Sequence, residues 1–183
     1  DRIDLEEEMA RKVIHAYYAT ISFLDAQVGR VLRALEGLGL ADETIVVFSS
    51  DHGYHMGEHG HYQKNTLFED ADRVPLIIRV PGQPFAGRPA ATLAEMVDFY
   101  RTLSELAGLP SPPAYVQGRS LAPAVYDPDA RIRDSALTQL AHGATVRTDR
   151  YRYSRWPGAK GLQNELYDRL NDPAEMVNLS GDP

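Results

Sequence analysis

Apolar positions along the chain change rhythm from one end to the other. Val13, Tyr17, Ile21, Leu24, Val28, Val31, Leu32 and Leu35 recur every three or four residues, with Arg30, Arg33 and Glu36 on the opposite side. That spacing predicts an amphipathic helix over 5–36, ended by Gly37 and Gly39. His15, Tyr17 and Tyr18 read as packing residues of this helix. Asp25, an acid among apolar neighbours, is expected to make a buried hydrogen bond. Ile45, Val46, Val47 and Phe48 then form an unbroken apolar run, the mark of a strand covered on both faces, as in a parallel sheet flanked by helices.

Beyond that strand, 65–72 predicts a short helix with Leu67 and Phe68 inward, and 74–80 a second buried strand begun by Pro75, which cannot donate to a ladder. A short strand is expected over 93–97. Asp98 should then cap a helix over 99–107, stopped by Gly108 with Pro110 beyond. The proline-rich stretch 111–128 reads as a crossing between sections. After it the pattern turns to strands at 135–140, 144–147, 151–156 and 165–170, with a tight hairpin at Thr148-Asp149. A terminal helix over 174–179 is expected after Asp172-Pro173. The organisation is therefore an α/β section over 1–110, the crossing over 111–128, and a small antiparallel section over 129–183.

Composition narrows the function classes. The 183 residues are long enough for a substantial core, and 43% hydrophobic with 25% charged residues is ordinary for a globular protein. A net charge of −7 argues against nucleic acid or an anionic membrane as the main partner, so any anion site must be local. There is no cysteine, hence no disulfide, and neither a signal peptide nor a membrane span is visible from the charged start DRIDLEEEMARK.

The chemistry concentrates in TIVVFSSDHGYHMGEHGHYQK, residues 44–64. The buried strand ends in Ser49, Ser50, Asp51 and His52, with Gly53 for a sharp exit. A carboxylate and an imidazole side by side at a strand end can share one metal ion, and Lys64 can meet the charge of a bound anion. As a bare tripeptide, Asp-His-Gly is also a plain turn. Yet four of the chain's six histidines, His52, His55, His59 and His61, fall within this loop. No HExxH is present, and Gly53, Gly57 and Gly60 exclude a zinc-protease helix. Taken singly, His55, His59 and His61 read as loop residues bordering a pocket rather than ligands.

Downstream, RTDRYRYSRWPG alternates basic and aromatic residues. Alternation follows from a half-buried strand, and the expectation is tyrosines inward and arginines outward. Arg152, Arg155 and Trp156 then become candidates for contacts with an anionic sugar, if the hairpin borders the cleft. His142 reads as a strand-end surface residue with a place at the pocket rim open to it.

Two stretches, YYATISFLDAQVGRVL and TIVVFSSDHGYHMGEHGHYQKNTLFEDADRVPLIIRVPG, together resemble the carboxyl-terminal half of type I sulfatases, on the iduronate-2-sulfatase-like branch of the alkaline phosphatase superfamily. The resemblance implies part of an alkaline-phosphatase-like α/β sandwich with a mixed, mainly parallel sheet, followed by a small antiparallel α+β subdomain. It implies that Asp51 and His52 ligate the active-site Ca2+, with Mn2+ or Mg2+ as alternatives, and that Lys64 contacts sulfate. Many sulfatases carry Asn where His52 stands, whereas the iduronate-2-sulfatase-like and phosphonate-monoesterase-like branches carry His.

The family's nucleophile is a formylglycine made from Cys or Ser in a C/S-x-P-x-R motif, and no such motif occurs here. Ser111-Pro112-Pro113 and Ser154-Arg155-Trp156-Pro157 lack its order. The expectation is therefore a carboxyl-terminal portion whose nucleophile and paired acids lie upstream, with the remainder of the same enzyme as partner and the portion alone inactive. The resemblance further implies a sulfate-ester substrate, possibly a sulfated glycan, and a periplasmic or secreted location. Two alternatives stay open: a phosphodiesterase or phosphonate monoester hydrolase of the same superfamily, and a non-catalytic glycan-binding module.

Overall fold

A computed structural model of the chain describes residues 5–158 and 161–181; the outermost residues of the expected sections, 1–4 and 182–183, lie outside the described residues. Helix α1 spans Glu7–Gly37, close to the expected range. Its backbone turns away at Gly39, which takes a positive φ of 69°. None of its residues is buried, and Tyr17, Ile21, Leu24, Val31 and Leu32 all stand exposed. Asp25 is exposed too, so the buried hydrogen bond expected for it is not there. Its neighbours are apolar, yet the ring of Tyr54, stacked on Tyr17 at 5.9 Å, leaves most of that side of the helix open.

Strand β1, Val46–Ser49, pairs with β2, Leu76–Arg79, in a two-stranded sheet. The pairing is antiparallel, with Val46 opposite Arg79 and Ser49 opposite Leu76. Such a pair has its place in the expected mixed sheet, and it is antiparallel because the strand that β1 finds among the described residues returns through the site loop instead of through a crossover helix. Burial on both faces is not reached either: Ile77 is 60% exposed and Phe48 is exposed. Both strands carry the composition of a sheet interior while lying partly open.

Between them the expected helix shortens to α2, Glu69–Asp72, since only there do successive backbone bonds close a turn; Leu67 and Ala71 point into the core. In place of a strand over 93–97, a 3₁₀ turn at Met96–Asp98 leads directly into α3, Phe99–Leu106. The reason lies in Glu95 and Asp98, whose side chains reciprocally cap that turn and so bend the backbone out of an extended path. The crossing holds α4, Ala122–Tyr126.

Four antiparallel strands follow in simple meander order: β3 Ser135–Leu140, β4 Gly143–Thr148, β5 Tyr151–Gly158 and β6 Gly161–Asp168. The first three strands lie within two residues of their expected ranges, whereas β6 starts four residues earlier and ends two residues earlier than expected, and Arg147 sits opposite Arg152 across the hairpin. The face is the reverse of the expectation. Along β5, Arg152 and Ser154 are buried while Tyr151 and Tyr153 are exposed.

Arg152 is 1% exposed because three carboxylates reach it. Its Nε donates to Glu175 at 2.7 Å, Nη1 to Asp72 at 2.7 Å and to the Leu67 carbonyl at 3.1 Å, and Nη2 to Glu69 at 2.5 Å. Arg169 and Arg147 complete the knot around Glu69 and Glu175. Burial works to raise Glu69, but Arg147, Arg169 and Arg152 outweigh it and hold that carboxyl below its ordinary value. For Asp72 burial prevails over the pull of Arg152 and pushes the carboxyl up to about 6.

The knot also explains the chain end. Glu175 adopts a left-handed backbone with φ of 55°, which aims its carboxylate at Arg152 and at the Glu69 N–H, and the helix expected over 174–179 does not form. A second buried acid, Asp98, bonds the N–H groups of Glu95 and Arg119 and both arms of Arg133. With Glu95 accepting from Leu137 N–H, it fastens the 3₁₀ turn to the meander. Among the described residues, no helix is long and apolar enough to cross a membrane.

Candidate functional site

The site forms where β1 runs out. Ser50 Oγ donates to the His52 carbonyl at 2.8 Å, which curls the backbone immediately after the strand. Gly53 then passes against α2: its N–H donates to the Ala71 carbonyl at 2.7 Å, and an added Cβ would lie 1.9 Å from the Asp70 carbonyl oxygen. Only glycine allows that approach. The close pass leaves Asp51 and His52 at the strand end facing Lys64 from the far side of the loop.

The three side chains converge. Lys64 Nζ lies 2.7 Å from His52 Nε2, and Asp51 Oδ2 lies 3.5 Å from the same nitrogen. His52 Nδ1 is 2.8 Å from the Gly53 carbonyl oxygen, which can only accept. The tautomer is assigned from these two bonds: Nδ1 carries the proton, and Nε2 turns its lone pair toward Lys64 and Asp51. The Asp51 side chain is 82% exposed, so the corner opens outward.

That donor set fits a divalent cation. An anionic oxygen and an imidazole lone pair meet at one point, the imidazole is locked by a hydrogen bond on its other nitrogen, and a cationic group already occupies the approach. Asp51, His52 and Lys64 also border a broad groove whose walls include β2, the 83–97 segment and β3. Among the described residues, His55, His59, His61, Arg155 and Trp156 do not line it.

Each of those residues has another place. His55 is fully buried, with Nε2 at 2.6 Å from Thr66 Oγ1. Burial lowers its pKa, against the opposing pull of Asp70. His59, at a left-handed φ of 55°, stacks on Phe68 with ring centroids 3.7 Å apart. His61 packs edge-on against His55 at 5.7 Å. Arg155 is exposed on the outer face of β5, and Trp156 lies so close over Gly143 that a Cβ there would come within 2.4 Å of its ring. His142 is exposed at the turn between β3 and β4.

Arg152, weighed above as a sugar contact, is unavailable to any ligand because its guanidinium is consumed by Glu69, Asp72 and Glu175. Sequence reasoning also passed over Thr66 and Asp70, which surround His55. The signal for Thr66 was weak, a hydroxyl eleven residues from the histidine it bonds.

The sulfatase family profile matches residues 3–109, and a profile described as N-sulphoglucosamine sulphohydrolase, C-terminal, matches 57–183. The iduronate 2-sulfatase of Mus musculus is 42% identical over 133 residues, covering 60% of this chain and 24% of the mouse protein. A protein solved in complex with its substrate D-glucosamine-2-N,6-O-disulfate superposes with a TM-score of 0.82 at 32% identity, over 91% of this chain and 36% of that one. A phosphonate monoester hydrolase of Agrobacterium radiobacter superposes with a TM-score of 0.78 at 31% identity, again over 91% and 36% of the two chains. The chain thus spans about a quarter of the mouse enzyme's length.

Proposed function

Because this chain belongs to the sulfatase family, we propose that it is the carboxyl-terminal portion of a sulfuric ester hydrolase acting on a sulfated sugar, with a formylglycine nucleophile supplied from upstream. The observation that carries the reading is the convergence of Asp51, His52 Nε2 and Lys64 at the end of β1. Asp51 and His52 would hold the cation, Ca2+ or alternatively Mn2+ or Mg2+. When bound, the ion would offset negative charge on the sulfuryl oxygens.

The chain's own residues then have definite tasks. The Gly53 carbonyl keeps the proton on His52 Nδ1, so Nε2 remains a ligand. Lys64 exchanges its contact with His52 for a sulfate oxygen, placing a positive charge where charge develops in the transition state. Asp51 is the natural oxygen ligand for a hard ion, while His52 gives the site a tolerance for softer ones.

The exposed apolar side of α1 and the open faces of β1 and β2 fit the same reading. They are surfaces of interior composition, suited to pack against the remainder of the enzyme. A sulfated glycan is supported as substrate by the disulfated glucosamine bound to the superposed protein.

A second reading, phosphonate monoester or phosphodiester hydrolysis, draws on the likeness to the phosphonate monoester hydrolase. Hydrolysis of matched aryl sulfate and aryl phosphonate esters by the full-length protein separates the two. A higher kcat/KM for the sulfate is the expected result; preference for the phosphonate would replace the first reading with the second.

A further inference from the structure

A second convergence lies deeper in the same loop and has no part in the corner just described. His55 Nδ1 is buried without a hydrogen-bond partner. It points toward two carboxylates, Asp70 at 3.9 Å and Glu58, and one ligand atom from each of the three residues lies within 4.8 Å of the others. Glu58 is held in place by accepting the Met56 N–H at 2.6 Å.

Neither tautomer of His55 settles this arrangement by itself. If Thr66 donates to Nε2, the proton on Nδ1 is buried 3.9 Å from Asp70, beyond hydrogen-bonding reach. If instead Nε2–H donates to Thr66 Oγ1, at 2.6 Å, the Nδ1 lone pair faces two carboxylates with no donor among them. Three acceptors gathered at one point call for a cation. The second tautomer is also the one that a metal-ligating histidine adopts, with its far nitrogen held by a hydrogen-bond acceptor.

We propose that His55 Nδ1, Glu58 and Asp70 form a second divalent-metal site, suited to a zinc-class ion. One imidazole with two carboxylates is a borderline donor set that leaves a coordination position for water. Calcium, which takes six or more oxygen ligands, is poorly served by it. Such an ion would staple the site loop to α2, because Glu58 lies in the loop and Asp70 in the helix.

The test uses the full-length enzyme, saturated with Ca2+ and cleared of transition metals, with Co2+ as the probe. Stoichiometric Co2+ binding is expected, with a visible spectrum showing nitrogen ligation, and it should persist in Asp51→Asn. It should be lost in Glu58→Gln/Asp70→Asn, both partners being exposed enough for the fold to tolerate the change. Co2+ binding retained by that double variant, or lost in Asp51→Asn, overturns the proposal. Anomalous scattering from Co2+-soaked crystals of the wild-type enzyme decides the matter even if the double variant does not fold. A peak between His55 Nδ1 and the two carboxylates sustains the site, and a peak only beside Asp51 and His52 ends it.

Discussion

Two clusters of charge meet on the short helix α2, and they are built in opposite ways. On one side Glu69 and Asp72 enter the knot around Arg152, where a buried guanidinium has a partner for every donor nitrogen. On the other, the Asp70 and Ala71 carbonyls touch Gly53 and set the corner of Asp51, His52 and Lys64, which is open and holds few bonds. A buried charge cluster with its valences filled stabilises position; an exposed one with valences to spare can bind. The difference teaches that residue type alone does not mark a site. Arg152 and Lys64 are both cations facing acids or bases, and only the second has capacity left.

The comparison also joins the two clusters. The knot fixes α2, α2 leaves room only for glycine at position 53, and Gly53 turns the backbone that presents Asp51 and His52. Structure on one face therefore becomes geometry on the other.

Removing the centre of the knot breaks the comparison most strongly. Arg152→Met in the full-length enzyme strips Asp72 of its counter-charge and leaves Glu69 and Glu175 to Arg147 and Arg169, and should cost roughly 3–5 kcal/mol of stability, read from urea unfolding. An unfolding midpoint within error of wild type would show the knot to be surface decoration.

The next effect belongs to the open corner. Lys64→Ala should lower kcat/KM for a sulfate ester by about 10²- to 10³-fold, the scale of losing one charge-stabilising donor. Its thermal unfolding should barely move, since the lysine is exposed and its bond to His52 is an exposed one. Wild-type kinetics would remove Lys64 from the reaction, and lost stability would put it with the knot.

The smallest effects sharpen the contrast through pH. The Asp72 carboxyl is pushed by burial from 3.8 up to about 6, so its stabilising contribution is complete below the unfolded value and is lost as pH rises through about 6. Asp168 runs the other way. A paired hydrogen bond from Arg150 pulls it from 3.8 down to about 2, so its contribution is present above the unfolded value and is lost as pH falls through about 2. Asp72→Asn should flatten the decline toward pH 6, and Asp168→Asn the decline at the acid end, in unfolding free energies measured across pH. Matching profiles for the two variants would contradict the opposed environments.

Much of the fold was legible because its signals are local. Heptad-like spacing placed α1 within a few residues, and Gly108 with Pro110 marked the end of α3. Period-two alternation located β3 to β6. The Asp-His-Gly exit from an apolar strand, with a lysine beyond, brought together the three residues that do converge. The helix expected over 174–179 failed for a non-local reason, since Glu175 is bent into a left-handed conformation by partners on β5 and α2.

The sequence by itself determined where the chain alternates, turns and concentrates its chemistry, because backbone propensity and side-chain period are properties of neighbours along the chain. It could not choose the inward face of β5. A period of two states that Arg152 and Tyr153 point opposite ways and leaves open which one is buried. Only the tertiary structure, by laying Glu69, Asp72 and Glu175 over one face, made it cheaper to bury the arginine than the tyrosine. The same holds for β1, whose antiparallel partner lies beyond the site loop, and for His55, whose carboxylate neighbour Asp70 arrives on a separate helix. Pairing between distant charges and strands is decided by packing in three dimensions, and no local pattern carries it.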